Sequence, residues 1–364
     1  MEKTLNKFIG IVGILLLILV ACVAAYVVFL SVTEYTPDEI TLLEVENNQE
    51  AMVAVDTPLT AVTYNLGFGA YAPEFDFFMD GGTGSTAKDS ETVVNNITGS
   101  INTLLEINPD FLLLQEVDRR STRSHFINQY EMIYRIFSDY GTSFAPNFDV
   151  KWIAYPFTDM HGKTYAGQTT LSNKKISSSE RITLPTDDTW PARLVALDRC
   201  MLVSRIPTSD EKELVIVNVH LSAYDKDGTF RKEQLRVLSE FLEAETAKEN
   251  YIIVGGDFNH LLPPAEEATF NFTDEVPTWI TSIPEEFTPT NFSWQVDPSV
   301  PTIRDTATPF KRGETFVSIV DGFLVSNNVR VSRTETINLN FKYSDHHPTY
   351  IQFELKPKRK RARP

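Results

Sequence analysis

Apolar residues recur in two rhythms along this chain, and the alternation between them predicts a layered fold. Apolar runs of strand length occur at LTAVTYNL (59–66), DFLLLQEV (110–117), KELVIVNVHL (212–221), YIIVGGDFN (251–259) and VSIVDGFLVS (317–326). Their β-branched content and shortness mark them as buried strands. Between the first two, KDSETVVNNITGSINTLLEIN (88–108) carries the period of an amphipathic helix and stops at Asn108-Pro109, where proline bars continuation. A second helix is predicted from about Thr229 to Lys248, with Phe230, Leu235, Leu238 and Leu242 on one face.

The first 30 residues follow neither rhythm. From Phe8 to Leu30 run 23 residues without a charge, and as a helix they would span roughly 34 Å, enough to cross a bilayer. Lys3 and Lys7 precede the run and Glu34, Asp38 and Glu39 follow it. The positive-inside rule therefore places residues 1–7 in the cytoplasm and everything beyond the 8–30 span outside the cell. A cleaved signal peptide at Ala24-Ala25, giving a secreted protein, is the main alternative, but the apolar run continues past those residues. Leu19-Val20-Ala21-Cys22 resembles a lipobox, yet the chain stays hydrophobic beyond the cysteine, and a buried core helix would show a polar face. Residues 31–57 are acidic and aperiodic and read as a stalk. A single domain is then expected over 58–355, since no repeat or second linker interrupts it, followed by a basic tail at 356–364.

Composition narrows the function classes. With 42% hydrophobic and 23% charged residues, the 364-residue chain is ordinary globular material. Cys22 and Cys200 allow at most one disulfide, so the domain must rest on a packed core. The net charge is −16 even though the last nine residues hold six Lys and Arg. So acidic a body is a poor partner for long duplex DNA, while the tail is either a solvated end or a grip on an anionic surface.

Candidate chemistry gathers in four clusters: QEVD (115–118), NVHL (218–221), GGDFNH (255–260) and SDHHP (344–348). Together they offer carboxylates for a hard cation, histidines and an amide, each near the end of an apolar run. Glu116 on an apolar strand is costly unless a cation or donor meets it. Asp257 and Asn259, two apart, share a face if the segment is extended. His346 fits a general base if a carboxylate such as Asp321 fixes its other ring nitrogen, and His220 fits a proton donor to a phosphate oxygen. Each cluster alone also has an ordinary reading as a turn or a loop cap. The glycine- and aromatic-rich stretch 67–86 reads as a mobile loop bordering the site, with a plain structural excursion as the alternative, and contains no phosphate-binding glycine motif.

TYN (63–65), QE (115–116), HL (220–221), GDFN (256–259), Asp321 and SDHHP (344–348), in this order, resemble the endonuclease/exonuclease/phosphatase superfamily with its deoxyribonuclease-I-like fold. The resemblance implies an α+β, four-layered αββα sandwich of two mainly antiparallel sheets flanked by helices, here behind one transmembrane helix. It also implies phosphoester hydrolysis dependent on Mg²⁺, with Mn²⁺ as substitute. On it, Glu116 looks like the metal ligand, with Asn65 and Asp345 beside the metal. Asp257 and Asn259 look like the pair orienting phosphate and water, His346 like the catalytic histidine oriented by Asp321, and His220 like the second histidine of the nuclease and sphingomyelinase branches. The branch acting at abasic DNA sites has tyrosine where His220 stands and an acidic residue soon after the first asparagine, so DNA repair is disfavoured. Gln168 takes only a supporting place. The expected function is an extracytoplasmic, membrane-anchored phosphoesterase acting on a lipid head group, nucleotide or small phosphoester. A surface or secreted nuclease is the first alternative, and a catalytically inactive surface binding domain the second.

Overall fold

Alternation along the central strands decides which face of each sheet meets which layer. In Leu59–Asn65 and Phe111–Asp118, Val62, Tyr64, Leu112 and Leu114 point to the side covered by helices Ser90–Ile107 and Gln129–Ile136. Leu59, Ala61, Phe111 and Leu113 point the other way, into a core shared with Leu214, Ile216 and Ile253 of a second sheet. Val215, Val217, Ile252 and Val254 of that sheet pack under helix Thr229–Ala247. The computed structural model, which describes residues 2–225, 228–263 and 270–357, is thus an α+β sandwich of two large mixed sheets with helices outside.

The six-stranded sheet runs, in spatial order, Val329–Thr336, Thr349–Leu355, Leu59–Asn65, Phe111–Asp118, Gly162–Ser172 and Gly141–Ile153. The seven-stranded sheet runs Ile40–Leu43, Ser178–Thr183, Cys200–Pro207, Glu213–His220, Tyr251–Asp257, Asp321–Ser326 and Phe292–Gln295. Each has one parallel pair, Leu59–Asn65 with Phe111–Asp118 and Glu213–His220 with Tyr251–Asp257, joined by a crossover that contains a helix. The helix Ser90–Ile107 starts where Asp89 accepts the N–H of Thr92 at 2.7 Å and ends at Asn108 in the left-handed conformation, φ 51°. Beneath the site, Gln115 Nε2 donates to Asn218 Oδ1 at 2.8 Å, a buried polar tie from sheet to sheet.

Three segments differ from their sequence-based expectation. Residues 31–57 are not a free stalk: Ile40–Leu43 pairs antiparallel with Ser178–Thr183, Glu46 and Thr142 exchange backbone bonds, and Val53 is fully buried between the sheets. A four-residue edge strand in an acidic context is too short to show a period, which hid it. The run 317–326 is two strands, because Val317–Ser318 pairs with Ile303–Arg304 in a small separate sheet while Asp321–Ser326 pairs with Tyr251–Asp257. The 67–86 stretch is packed instead of loose: Phe68, Tyr71 and Phe75 are buried, and Arg304 donates to the carbonyls of Ala72 and Phe75 at 3.1 and 3.2 Å.

Glu2–Thr33 is one helix, long and apolar enough to cross a membrane, with mean hydropathy reaching 3.1. Only its last turns touch the domain. Leu30 is buried among Phe148, Val150 and Leu194, with Tyr26 and Val27 packed alongside. The Tyr26 hydroxyl donates to the Trp152 carbonyl at 2.9 Å, and Arg193 pairs with Glu34 at 3.2 Å. Cys22 and Cys200 are both free thiols. The basic tail from residue 358 onward lies outside the described residues.

Candidate active site

The four strands of the two parallel pairs carry, at or near their carboxyl ends, Asn65, Glu116, His220 and Asp257. Asp321, the first residue of its antiparallel strand, sits in register opposite Asp257, as does His220 from the other side. Glu116 owes its direction to a bulge: pairing with Gly162–Ser172 slips between Leu114 and Val117, and Glu116 takes φ 53°. Asp257 owes its own to Gly256 at φ 151°, which carries the strand through the glycine pair.

Loop 344–348 is held against these ends from several directions. The Arg304 N–H donates to the Asp345 carbonyl at 3.0 Å, and the His347 N–H to Thr302 at 2.8 Å. Ser344 Oγ donates to the Asn65 carbonyl at 2.8 Å. His346 Nδ1 then lies 2.8 Å from Asp321 Oδ2, and its Nε2 lies 3.7 Å from Asp257 Oδ2. His220 Nε2 approaches the same Asp257 oxygen at 3.5 Å. Asn65 Nδ2 donates both to that oxygen, at 3.1 Å, and to Glu116 Oε1, at 3.2 Å, while its side-chain oxygen Oδ1 accepts the Gly67 N–H. Asn65 therefore ties two carboxylates together and has its oxygen already engaged.

Asn259 departs from the shared face expected of an Asp-x-Asn spacing. The strand ends at Asp257, and Asn259 turns to φ 50° with its N–H on Asp257 Oδ1 at 2.9 Å. Its amide Nδ2 donates to the Leu221 carbonyl at 2.8 Å. His347 points away from His346, as alternation along the chain requires. It has a packing role of its own: Nε2 accepts the Phe341 N–H at 3.0 Å, Nδ1 lies 2.7 Å from the Pro301 carbonyl, and the ring stacks on Phe341.

These groups open on a cavity of about 820 Å³ lined by Glu116, His220, Asp257, Asn259, Asp345 and His346, with Asn65 and Asp321 behind them. Its other walls are aromatic, from Phe68, Tyr71, Phe78, Tyr155, Tyr224 and Trp279. Three arginines missed by the sequence reading also line it: Arg123, Arg199 and Arg304, all buried. Arg123 lies 2.8 Å from buried Asp118, and Arg199 donates to the His220 carbonyl at 3.3 Å. Isolated arginines carry no spacing signal, so only the fold reveals them.

Burial and crowding set the electrostatics. Burial raises the Asp257 and Asp345 carboxyls to about 6, against the pull of His346; Asp321 adds to the first and Glu116 to the second. Burial works against charge on His346, but Asp321, Asp257 and Asp345 outweigh it and hold its pKa at about 10. His220 is pushed well below its usual value by burial and by Arg199, so it stays neutral. Such a surplus of buried carboxylate suits a divalent cation. Among the described residues, Asp257, Asp321 and His346 present ligand atoms within 4.8 Å of one another. The 2.8 Å contact already commits Asp321 and His346 to each other, and Asp321 does not line the cavity. Glu116 and Asp345 also line the cavity, near enough that the charge of Glu116 helps to raise the Asp345 carboxyl.

His161, also on the cavity wall, makes a pH prediction. Burial and then Arg123 lower its pKa to about 3, and its Nδ1 lies 2.8 Å from the Ser85 carbonyl. Below about 6.5 the unfolded chain takes up a proton that the folded chain refuses until about 3. The stability it contributes is thus fully present above pH 6.5 and is lost as pH falls, at up to about 1.4 kcal/mol per pH unit. Melting curves from pH 7 to 4.5 should therefore fall less steeply for His161→Phe than for the parent; parallel curves would refute the assignment.

A family model described as Endonuclease/Exonuclease/phosphatase family matches residues 62–346. A search of curated proteins returns no match. Among solved structures, an endonuclease/exonuclease/phosphatase from Beutenbergia cavernae is similar at 17% identity and TM-score 0.57, covering 82% of this chain and 72% of that one. The human Nocturnin catalytic domain with bound sulfate is similar at 19% identity and TM-score 0.52, over 82% and 95% of the two chains. Zebrafish (D. rerio) TDP2 complexed with a single-strand DNA product gives 18% and 0.51, over 82% and 100%. At these identities the structures speak for the fold, and the match of the family model over most of the chain settles the rest: this chain belongs to the endonuclease/exonuclease/phosphatase family, whose members are hydrolases acting on phosphoester bonds.

Proposed function

We propose that the chain is a membrane-anchored, extracytoplasmic phosphoesterase that uses Mg²⁺, with Mn²⁺ as substitute, to drive water against a phosphodiester or phosphomonoester. The observation that carries this reading is the convergence on one cavity of Glu116, His220, Asp257, Asp345 and His346, from segments spread over most of the domain. Glu116 and Asp345 would hold the cation, with Asn65 fixing Glu116 in place. A divalent ion there would supply positive charge to polarise a phosphate oxygen and to offset the carboxylates around His346. Once the carboxylate charge that raises its pKa is countered and Nε2 has lost its proton, His346 takes the proton from the attacking water, and Asp321 on Nδ1 fixes the tautomer and steadies the imidazolium that results. Asp257, between the two rings, orients the water. Asn259 holds the Asp257 turn in place. Neutral His220 donates to a phosphate oxygen, and the guanidinium groups of Arg123 and Arg199 neutralise phosphate charge.

Retention of the N-terminal helix is supported by the length of its apolar run, which continues past Ala24-Ala25 to Leu30 and exceeds the core of an ordinary cleaved signal. Lys3 and Lys7 before the helix and Glu34, Asp38 and Glu39 after it support the outward orientation. A second reading, a surface nuclease, draws on the DNA product in the similar zebrafish structure. The net charge of −16 argues against long duplex DNA, and plasmid cleavage at physiological salt would reverse that ranking.

The ligand assignment is tested by Glu116→Gln. An amide is a poorer ligand for a hard cation than a carboxylate, so the Mg²⁺ concentration for half-maximal activity should rise by about tenfold or more. An unchanged Mg²⁺ titration would remove Glu116 from the metal site.

A further inference from the structure

The cavity and the N-terminal helix share a wall. Phe148, Ile153, Val195 and Leu197 line the cavity, and the same four side chains belong to the cluster packed around Tyr26, Val27 and Leu30. One layer of side chains therefore separates the catalytic cavity from a helix that is apolar on every side.

The helix also acts as a depth ruler. The apolar run ends at Leu30, and Tyr26 lies four residues before it, roughly 6 Å further into the span at 1.5 Å per residue. At that level Tyr26 Oη donates to the Trp152 carbonyl and accepts the Ala154 N–H at 3.2 Å. Residues 152–154 are thereby fixed at the depth of the last turns of the span, in the layer where lipid head groups meet acyl chains. Around this point the surface is unusually apolar: Trp152 is 41% exposed, Tyr155 56%, Phe157 79% and Trp190 59%. Phe157 follows Tyr155 with ring centroids 6.0 Å apart, and Trp190 lies just before Arg193 and Leu194, which bind the end of the helix. Tryptophan and tyrosine favour this interfacial layer, where an apolar body and a polar tip are both satisfied.

We infer that the Trp152–Phe157 segment and Trp190 sit in the interfacial layer of the membrane the helix crosses, and that the substrate is a phospholipid of that membrane. Its phosphoester head reaches Glu116 and His346 along the aromatic cavity while its acyl chains stay in the bilayer. Tyr155 belongs both to the exposed cluster and to the cavity wall, which places the mouth at the interface. Water adds across the phosphoester bond, the P–O bond to the leaving group breaks, and no further co-reactant is needed. The inference rests on the phosphoesterase and retained-anchor readings above.

The test uses the full chain reconstituted in phosphatidylcholine vesicles, with and without brominated acyl chains, which quench indole fluorescence on contact. The parent protein should be quenched, and Trp152→Phe with Trp190→Phe, which keeps Trp279 and Trp294, should lose most of that quenching. Equal quenching in both proteins overturns the inference. In parallel, hydrolysis is compared between vesicles of mixed phosphatidylcholine, phosphatidylethanolamine, phosphatidylglycerol and phosphatidic acid and the same compounds deacylated to soluble glycerophosphoesters. Lipid should be turned over at least about tenfold faster, the ratio that about 1.4 kcal/mol of interfacial binding supplies. Phe157→Glu with Trp190→Glu should remove that preference while leaving hydrolysis of soluble bis(p-nitrophenyl) phosphate unchanged. Equal rates on lipid and deacylated forms, or hydrolysis of the chromogenic diester alone, overturn the inference and leave the phosphoesterase reading standing. No hydrolysis of any phosphoester with Mg²⁺ present overturns both.

Discussion

His346→Ala lowers kcat by at least about 10²-fold, the usual scale for loss of a general base, with little change in the Mg²⁺ concentration required. The expectation rests on the 2.8 Å contact between His346 Nδ1 and Asp321 Oδ2, which leaves Nε2 for water. Asp321→Asn should follow part of the way, since an amide neither steadies the imidazolium nor secures the tautomer. The neighbouring His347 separates catalysis from packing. His347→Ala leaves two buried hydrogen-bonding groups and a ring stack unmet, so it should cost about 2–4 kcal/mol of stability while the folded fraction keeps its turnover. An essential His347 beside a dispensable His346 would mean that the base has been assigned to the wrong ring.

The largest effect on folding is expected at Gly256. At φ 151° the position of a side chain points into the neighbouring strand, and a Cβ would lie 2.0 Å from the Val219 carbonyl oxygen. That obstacle is backbone of the paired parallel strand, so it cannot swing aside. Gly256→Ala should destabilise by about 4 kcal/mol, combining overpacking with a strained backbone, and lower Tm by on the order of 10 °C. Gly313→Ala is the comparison: its φ of 80° is also unfavourable, but nothing lies within 4 Å, so only about 1 kcal/mol is expected. If both variants melt alike, the clash is not what fixes Gly256, and the argument that it aims Asp257 fails with it.

What the sequence revealed, and what it hid, divides along physical lines. Asp257, Asp321, His220 and His346 stand next to strongly apolar strand runs, so their motifs could be placed at strand ends or just beyond them from the sequence, and the structure links them in a chain of contacts each under 4 Å. Helix Ser90–Ile107 was legible because its period and the following Asn108-Pro109 agree. Strand Ile40–Leu43 was not, since four residues hold too few alternations to outweigh an acidic surrounding. The turn of Asn259 to φ 50° also escaped, because two-residue spacing says nothing about where a strand stops. Arg123, Arg199 and Arg304 reach the cavity only through tertiary packing, and no local pattern separates them from surface arginines. The contact between Leu30 and Phe148 belongs to the same class, since a helix read as membrane-spanning gives no hint that its final turns join a core cluster.

The central claim is that this cavity hydrolyses phosphoesters with a divalent cation held by Glu116 and Asp345. The most direct measurement is turnover of a phosphomonoester and a phosphodiester by the full chain after exhaustive chelation, then after return of Mg²⁺ or Mn²⁺. Activity should vanish on chelation, return with either ion, and stay at least about 10²-fold lower in His346→Ala at every ion concentration. Turnover indifferent to chelation, or none on either ester with the ion supplied, would contradict the account.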